Sequence, residues 1–217
     1  MPISLLLSIL SAFIPLHTAA PSGVRFGLDE EASAGHRVDV DYDYYFVSGQ
    51  TAHALLESMR RNGPHGEGER YFGITTWQTS LQYTAEETRE GCRLSKIGVT
   101  TDVVILLPMW REEAGAPIQL QEAWGEFVRR LAYHEKGHRD MAGRQSRAIY
   151  DALEDLKVNS SCSSMDRHAR VLVDETAARF EELNREYDRA SDHGRSQGVV
   201  WPPAEWVDGA PDGPSER

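Results

Sequence analysis

The chain has 217 residues, of which 26% are charged and 40% are hydrophobic, a composition typical of a globular domain. Its formal net charge is −11, and this acidic balance argues against nucleic acid and anionic membrane surfaces as partners. The length favours one domain, which we place at residues 23–200.

An uncharged apolar run at residues 3–16 is followed by small residues. This pattern predicts a secretory signal peptide over residues 1–22, cleaved after Ala20 or Ser22. The alternative is an uncleaved membrane anchor, although the run is shorter than the roughly 18–20 residues that span a bilayer. The prediction places the mature protein outside the cell or in the periplasm, with membrane contact only if the segment stays attached.

The first half of the mature chain has the pattern of a small sheet with one helix. Residues 41–49, 71–84 and 92–110 are rich in β-branched and aromatic residues, which is typical of strands. Residues 51–64 have helical spacing, with Thr51 as the N-cap and Gly63-Pro64 as the stop. These elements predict a mainly antiparallel sheet of three or four strands.

The second half predicts two long helices, at about 118–157 and 165–191, because apolar residues recur at steps of three and four. His134 and His138 fill a gap in the apolar stripe of the first helix. Residues 201–217 are rich in Pro, Gly and Asp, which predicts a disordered tail. The expected fold class is therefore α+β.

Cys92 and Cys162 are the two cysteines of the chain. An even number of cysteines in an exported protein predicts a disulfide, and the alternative is two buried thiols. The bond would tie the sheet to the loop between the two long helices.

Residues 134–138 read His-Glu-Lys-Gly-His within the first long helix. Two histidines four residues apart project from one helix face and can bind one Zn²⁺. Glu135 lies about 100° around the helix, where it can reach a metal-bound water as a general base. The alternative is a pair of neutral histidines hydrogen-bonded in a polar seam, with a solvated glutamate beside them.

A catalytic zinc has three protein ligands, so a third ligand must come from elsewhere. Arg144 stands where a metzincin would have its third histidine, which excludes that class. We favour His193, which lies three residues after Ala190 and would continue the apolar face of the second helix. Asp188 or a nearby glutamate is the alternative. The other candidates on this helix are His168, Glu175, Glu181, Glu182 and Asp192.

Two further roles are suggested by position in the second helix. Tyr187 could hydrogen-bond an oxyanion as a catalytic residue, or it could pack as an aromatic residue between the helices. Asp188 or Asp192 could orient a ligand imidazole through its second nitrogen, or both could be solvated charges at the helix end.

Several segments between Tyr44 and Gln197 resemble a bacterial family of predicted secreted zinc-dependent proteases, a domain of unknown function. The matching segments are "YYFVSG", "MRRNGP", "GITTWQTSLQY", "CRLSKIGVTTDVVILLPMW", "YHEKGHRDMA" and "YDRASDHG". In the last one, Ser191 stands where the family pattern has threonine. The resemblance implies a zincin-like fold, with His134, His138 and His193 as zinc ligands and Glu135 as base.

The expected function is secreted, zinc-dependent hydrolysis of peptide bonds in a peptide or protein substrate. One alternative is a zincin-like module that binds metal and a partner without cleavage. Another is a zinc amidase that acts on cell-wall material. The intact Glu135 favours an enzyme, because a metal carrier needs no base there. The sequence gives no indication of oligomeric state.

Overall fold

The computed structural model describes residues 23–26, 35–66, 69–111 and 113–207. Its elements in chain order are strands β1 (Gly23–Phe26) and β2 (Gly35–Val47), helix α1 (Ala52–Asn62), strands β3 (His65–Gly66), β4 (Glu69–Arg70), β5 (Ile74–Thr88) and β6 (Gly91–Trp110), and helices α2 (Ile118–Glu154), α3 (Cys162–Ser191) and α4 (Ala204–Val207). The predicted α+β class, with one early helix and two long packed helices, is confirmed. The predicted signal peptide, residues 1–22, lies outside the described residues.

The main sheet has four strands in the order β1–β5–β6–β2. Strands β5 and β6 form an antiparallel hairpin, whereas β1 runs parallel to β5 and β2 runs parallel to β6. The sheet is therefore mixed, whereas the sequence had suggested a mainly antiparallel sheet. Alternating apolar residues show which face of a strand is buried, but they carry no information about strand direction.

Helices α2 and α3 pack together against the sheet. Helix α2 buries seven residues of the predicted apolar stripe, namely Leu120, Trp124, Phe127, Leu131, Met141, Ile149 and Leu153, whereas the eighth, Leu156, follows the end of the helix at Glu154. His134 and His138 continue this stripe and are only 5% and 6% exposed. Within the described ranges, no helix combines the length and the apolar character that crossing a membrane requires.

The segment after α3 returns to the core through Trp201. This side chain is buried, its ring packs on Trp124 and Phe127, and its Nε1 donates to the carbonyl of Ala52 at 3.0 Å. Residues 201–207, which the sequence had assigned to a disordered tail, include helix α4 and the buried Trp201. Burial of the large Trp201 side chain stabilises this segment more than the surrounding prolines and glycines disfavour its ordering. Residues 208–217 lie outside the described part of the chain.

A disulfide joins Cys92 and Cys162, as predicted. Backbone hydrogen bonds at the same point pair Cys92 with Asn159 in both directions, each at 2.8 Å. The bond ties the start of β6 to the first residue of α3. Disulfides persist in oxidising compartments, so this bond indicates an extracellular or periplasmic location.

Replacing both Cys92 and Cys162 by serine is expected to lower the free energy of unfolding by about 4 kcal/mol, because the bond closes a long loop in the unfolded chain. Urea denaturation of the variant and the oxidised wild type measures the difference. A change below about 1 kcal/mol would contradict the expectation.

Candidate metal centre

The two histidines of α2 direct their Nε2 atoms to one point. His134 and His138 lie four residues apart, and their rings meet edge to face with centroids 4.8 Å apart. The two Nε2 atoms are separated by 3.2 Å. The predicted pairing of these imidazoles on one helix face is therefore present in the folded chain.

Asp188 of α3 completes this group. Its Oδ1 lies 3.3 Å from Nε2 of His134 and 3.0 Å from Nε2 of His138. Helix α3 turns this residue inward because Phe180, Asn184 and Asp188 follow one another at steps of four, on one helix face. Among the described residues, His134, His138 and Asp188 form a group whose ligand atoms all lie within 4.8 Å of one another.

The other ring nitrogens are held by side-chain amides. Nδ1 of His134 is 3.0 Å from Oε1 of Gln197, and Nδ1 of His138 is 2.7 Å from Oδ1 of Asn184. An amide oxygen can only accept, so each Nδ1 carries a proton, and in a neutral ring Nε2 is left with a lone pair. Such partners are typical of histidines that ligate metals, because they select the tautomer and hold the ring.

The three converging atoms fit a tetrahedral metal ion. Two lone pairs and a carboxylate oxygen would repel one another at these distances unless protons or a metal cation lay between them. Two ligands at about 2.0–2.1 Å from a tetrahedral zinc ion lie roughly 3.3 Å apart. The observed separations are 3.0, 3.2 and 3.3 Å, so this His/Asp group can hold a metal ion.

The pKa values of the group reflect its burial and its charges. Burial by itself would raise the pKa of Asp188, but without a metal ion the protonated His134 and His138 rings outweigh it through hydrogen bonds and charge, and hold the pKa well below its usual range. Burial would lower the pKa of His138, yet the contact with Asp188 raises it. The carboxylate is therefore ionised at neutral pH, as a metal ligand must be.

Glu135 is buried beside the group and is only 3% exposed. Thr75 of β5 donates to its Oε2 at 2.8 Å. Burial raises the pKa of Glu135, while the charge of His138 and the hydrogen bond from Thr75 oppose that shift. The sequence predicted that Glu135 lies beside the histidine pair. The hydrogen bond from Thr75 of β5, which holds its carboxylate, is seen only in the fold.

Tyr187 packs directly on the histidines. Its ring stacks on His134 with centroids 5.2 Å apart, and its hydroxyl donates to the backbone carbonyl of His134 at 3.2 Å. Nε2 of Gln197 donates to the same hydroxyl at 3.1 Å. The structure thus places Tyr187 in contact with both His134 and its amide partner, in an arrangement that orients the ring.

The glycine of the histidine motif makes room for this tyrosine. A Cβ on Gly137 would lie far inside van der Waals contact with the Tyr187 hydroxyl oxygen. Glycine in the middle of a helix costs about 1 kcal/mol relative to alanine. The close approach of the tyrosine explains why a glycine is nevertheless present.

Comparison with known proteins identifies the family of this chain but no activity. A family model described as "Bacterial protein of unknown function (DUF922)" matches residues 42–194. The chain belongs to the DUF922 family. No curated protein and no solved structure matches it. The resemblance to a bacterial domain of unknown function is thereby confirmed.

In this DUF922 chain, His193 lies outside the group that the structure assembles. Helix α3 ends at Ser191, and Asp192 and His193 both adopt left-handed backbone conformations with φ of 49°. The His193 side chain is half exposed, and its Nδ1 is 3.9 Å from Oδ1 of Asp188. The third position of the group is taken by Asp188, the alternative that the sequence left open.

The amide partners of the histidines in this DUF922 chain were missed by the sequence interpretation. Asn184 lies four residues before Asp188, so its position on the same face of α3 was a usable signal. Gln197 had no such signal, because it follows the helix in a short turn beyond the matched family residues. Asp192, considered as an orienting residue, is instead exposed and faces Arg195.

Asn184→Ala is expected to weaken metal affinity by about 10–100-fold, because His138 would lose the partner that selects its tautomer. Competition titration with a chromogenic chelator measures the change. The matched control is Glu181→Ala, an exposed position on the same helix. Equal affinities for the two variants would contradict the assignment.

Gly137→Ala is expected to lower the free energy of unfolding by about 1–3 kcal/mol, because the new methyl group displaces Tyr187. Gly125→Ala, in the same helix, is the control: its Cβ would meet nothing within 4 Å. That variant is expected to be slightly stabilised, since alanine favours helix. Urea denaturation compares both, and equal effects would show that the tyrosine moves freely.

Proposed function

We propose that this protein is an exported zinc-dependent hydrolase that cleaves peptide bonds. His134, His138 and Asp188 hold the zinc ion, and Glu135 acts as the general base. The observation that carries the proposal is the convergence of three potential metal-ligand atoms, two from α2 and one from α3, beside the buried carboxylate of Glu135 on α2.

The donor set favours a transition metal such as zinc over magnesium and calcium. Two imidazole nitrogens and one carboxylate oxygen form a three-ligand set of the kind found in catalytic zinc sites, where the fourth position is left to water. Magnesium and calcium prefer oxygen ligands only. The Asp188 side chain is 26% exposed, so the group is open to solvent on that side. A zinc ion held there would act as a Lewis acid and lower the pKa of its water towards about 7.

Glu135 supplies the proton transfers. Thr75 binds Oε2, which leaves Oε1 available to take a proton from the attacking water. A Cβ on residue 73 would lie 3.1 Å from Oε1, so Gly73 keeps space free beside that oxygen. The raised pKa makes the carboxylate a better base than an exposed glutamate. Glu135 then returns the proton to the leaving amine.

The remaining residues of the centre hold the reacting groups in place. Gln197 and Asn184 present both Nε2 lone pairs, and Tyr187 fixes the plane of the His134 ring. Because the Tyr187 hydroxyl already contacts the His134 carbonyl and Gln197, this geometry supports a positioning role for Tyr187 more than the oxyanion role considered from the sequence.

The test begins with metal content and cleavage of a peptide library by the purified full chain. We expect about one zinc ion per chain, cleavage that a chelator abolishes, and recovery when zinc is restored. Purified cell-wall material is digested in parallel, since a zinc amidase would use the same centre. Cleavage of wall material alone would replace the peptidase by the amidase. Stoichiometric zinc without cleavage of either substrate would favour a binding module.

A further inference from the structure

Strand β2 has an uncovered edge next to a groove on α2. It is the last strand in the order of the main sheet, and none of the described strands pairs with its outer side. Towards its end, Asn62 of α1 donates to the Phe46 carbonyl, and Tyr44 N–H is taken by the Asp43 carboxylate. The open part of the edge is therefore residues 35–43.

The backbone of this edge is arranged to accept another strand. In a parallel pair, alternate residues direct their N–H and C=O groups to the neighbouring strand. The Val47 carbonyl accepts a hydrogen bond from the N–H of Arg111, on the β6 side. Odd-numbered residues of β2 therefore direct their backbone groups to β6, and even-numbered residues direct theirs outward. They are His36, Val38, Val40 and Tyr42. An unpaired edge of this length is a template for strand addition by an extended peptide.

The groove beside this edge is positively charged, although the protein is acidic. It has a volume of about 710 Å³ and is lined by Val38, Val40, Arg139, Asp140, Gly143, Arg144 and Arg147. Three arginines thus face one aspartate. Arg147 pairs with Asp151, and Arg139 pairs with Asp140. In the described part of the chain, Arg144 has no carboxylate partner, and its Nε reaches only a backbone carbonyl.

The groove is separate from the metal centre. At about 100° per residue, Gly143 and Arg147 lie about 140° and 180° around α2 from His138. The groove is open above Gly143, because a Cβ at this position would meet nothing within 4 Å. The free space above this helix turn is not filled by another part of the described chain.

We propose that the β2 edge and this groove bind an extended peptide segment with carboxylates on alternate residues. The segment adds to residues 35–43 as a further strand. Side chains on one of its faces then lie over Val38 and Val40, where a carboxylate meets Arg144. The other face meets Asp39, Asp41 and Asp43, which alternate with the valines, so its side chains are neutral or basic.

A second copy of the chain fits this edge poorly. Two β2 edges joined antiparallel into a continuous sheet would place their rows of aspartates on the same face. Like charges directly opposite one another destabilise a strand pair. The charge pattern therefore favours a peptide that carries acidic residues only on the groove side.

The test measures binding of a labelled peptide of about nine residues, in which glutamate alternates with threonine, to the full chain by fluorescence anisotropy. We expect saturable binding that weakens with salt and is absent for the peptide with lysine in place of glutamate. Arg144→Glu is expected to weaken binding roughly five- to tenfold, and the exposed Arg167→Glu on α3 is the matched control. No saturable binding, or equal affinity in the Arg144 and Arg167 variants, would overturn the proposal.

Further measurements exclude other occupants. Val40→Pro removes an outward N–H and should abolish binding if circular dichroism shows an intact fold. Affinity should be unchanged in Glu135→Gln and after chelation, and a loss there would place the peptide in the metal centre and overturn the proposal. If sedimentation shows that the wild type forms a dimer and that Val40→Pro does not, this result would also overturn the proposal. A failure here leaves the metal-dependent hydrolysis unaffected, because the two surfaces are distinct.

Discussion

Glu135→Gln is expected to lower turnover by at least about 100-fold while the zinc content stays near that of the wild type. Glutamine has nearly the shape of glutamate and can still accept the hydrogen bond from Thr75. It cannot take a proton from water at neutral pH. Because Glu135 is not one of the three ligand side chains, its replacement removes the base and leaves the metal-binding group complete.

Steady-state cleavage rates and elemental analysis of the same preparation test this prediction. The control is Glu122→Gln, an exposed position on the same helix, which should keep full activity. A Glu135→Gln variant with undiminished turnover would remove Glu135 from the mechanism. Loss of zinc together with activity would instead mean that the carboxylate supports the ligands and not the proton transfer.

Asp188→Ala is expected to weaken zinc affinity by more than about 100-fold, beyond the effect of removing a partner outside the coordination sphere. Its Oδ1 is the only oxygen among the three converging ligand atoms in the described group. Removing it leaves two imidazoles and takes away the one negative charge of the donor set. His193→Ala should weaken affinity by less than about tenfold, because Nδ1 of His193 lies 3.9 Å from Oδ1 of Asp188, which is longer than a hydrogen bond.

Chelator competition with both variants decides between these two residues. Thermal melts of the metal-free proteins show whether either substitution disturbs the fold. The opposite order of affinities would return His193 to the coordination sphere and give Asp188 the supporting role. Equal and small effects would mean that neither residue supplies the third ligand.

The features predicted best from the sequence depend on one helix at a time. The spacing of His134 and His138 in the apolar stripe follows from 3.6 residues per turn, and both residues are buried on the expected face. The hydrogen bond from Thr75 to Glu135 is different, because these residues are 60 positions apart in the chain. Periodicity in one helix contains no information on which strand will lie across it.

The third member of the His/Asp group shows where local periodicity stops being valid. His193 continued the face of α3 only if the helix continued, and the left-handed backbone at Asp192 ends it first. Asp188 lies within the last full turn, so its direction follows from helix geometry. The mixed direction of the sheet and the burial of Trp201 likewise depend on contacts between distant segments.

The position of Trp201 has a practical consequence for truncation. The family match ends at residue 194, yet Gln197 and Trp201 follow it and contact His134 and Trp124. A shortened protein that stops at the match boundary would expose the aromatic rings beneath Trp201, and losing a buried tryptophan costs about 3–5 kcal/mol. It would also release the imidazole that Gln197 holds. The physical unit therefore extends past the boundary that similarity defines, to Trp201 at the least.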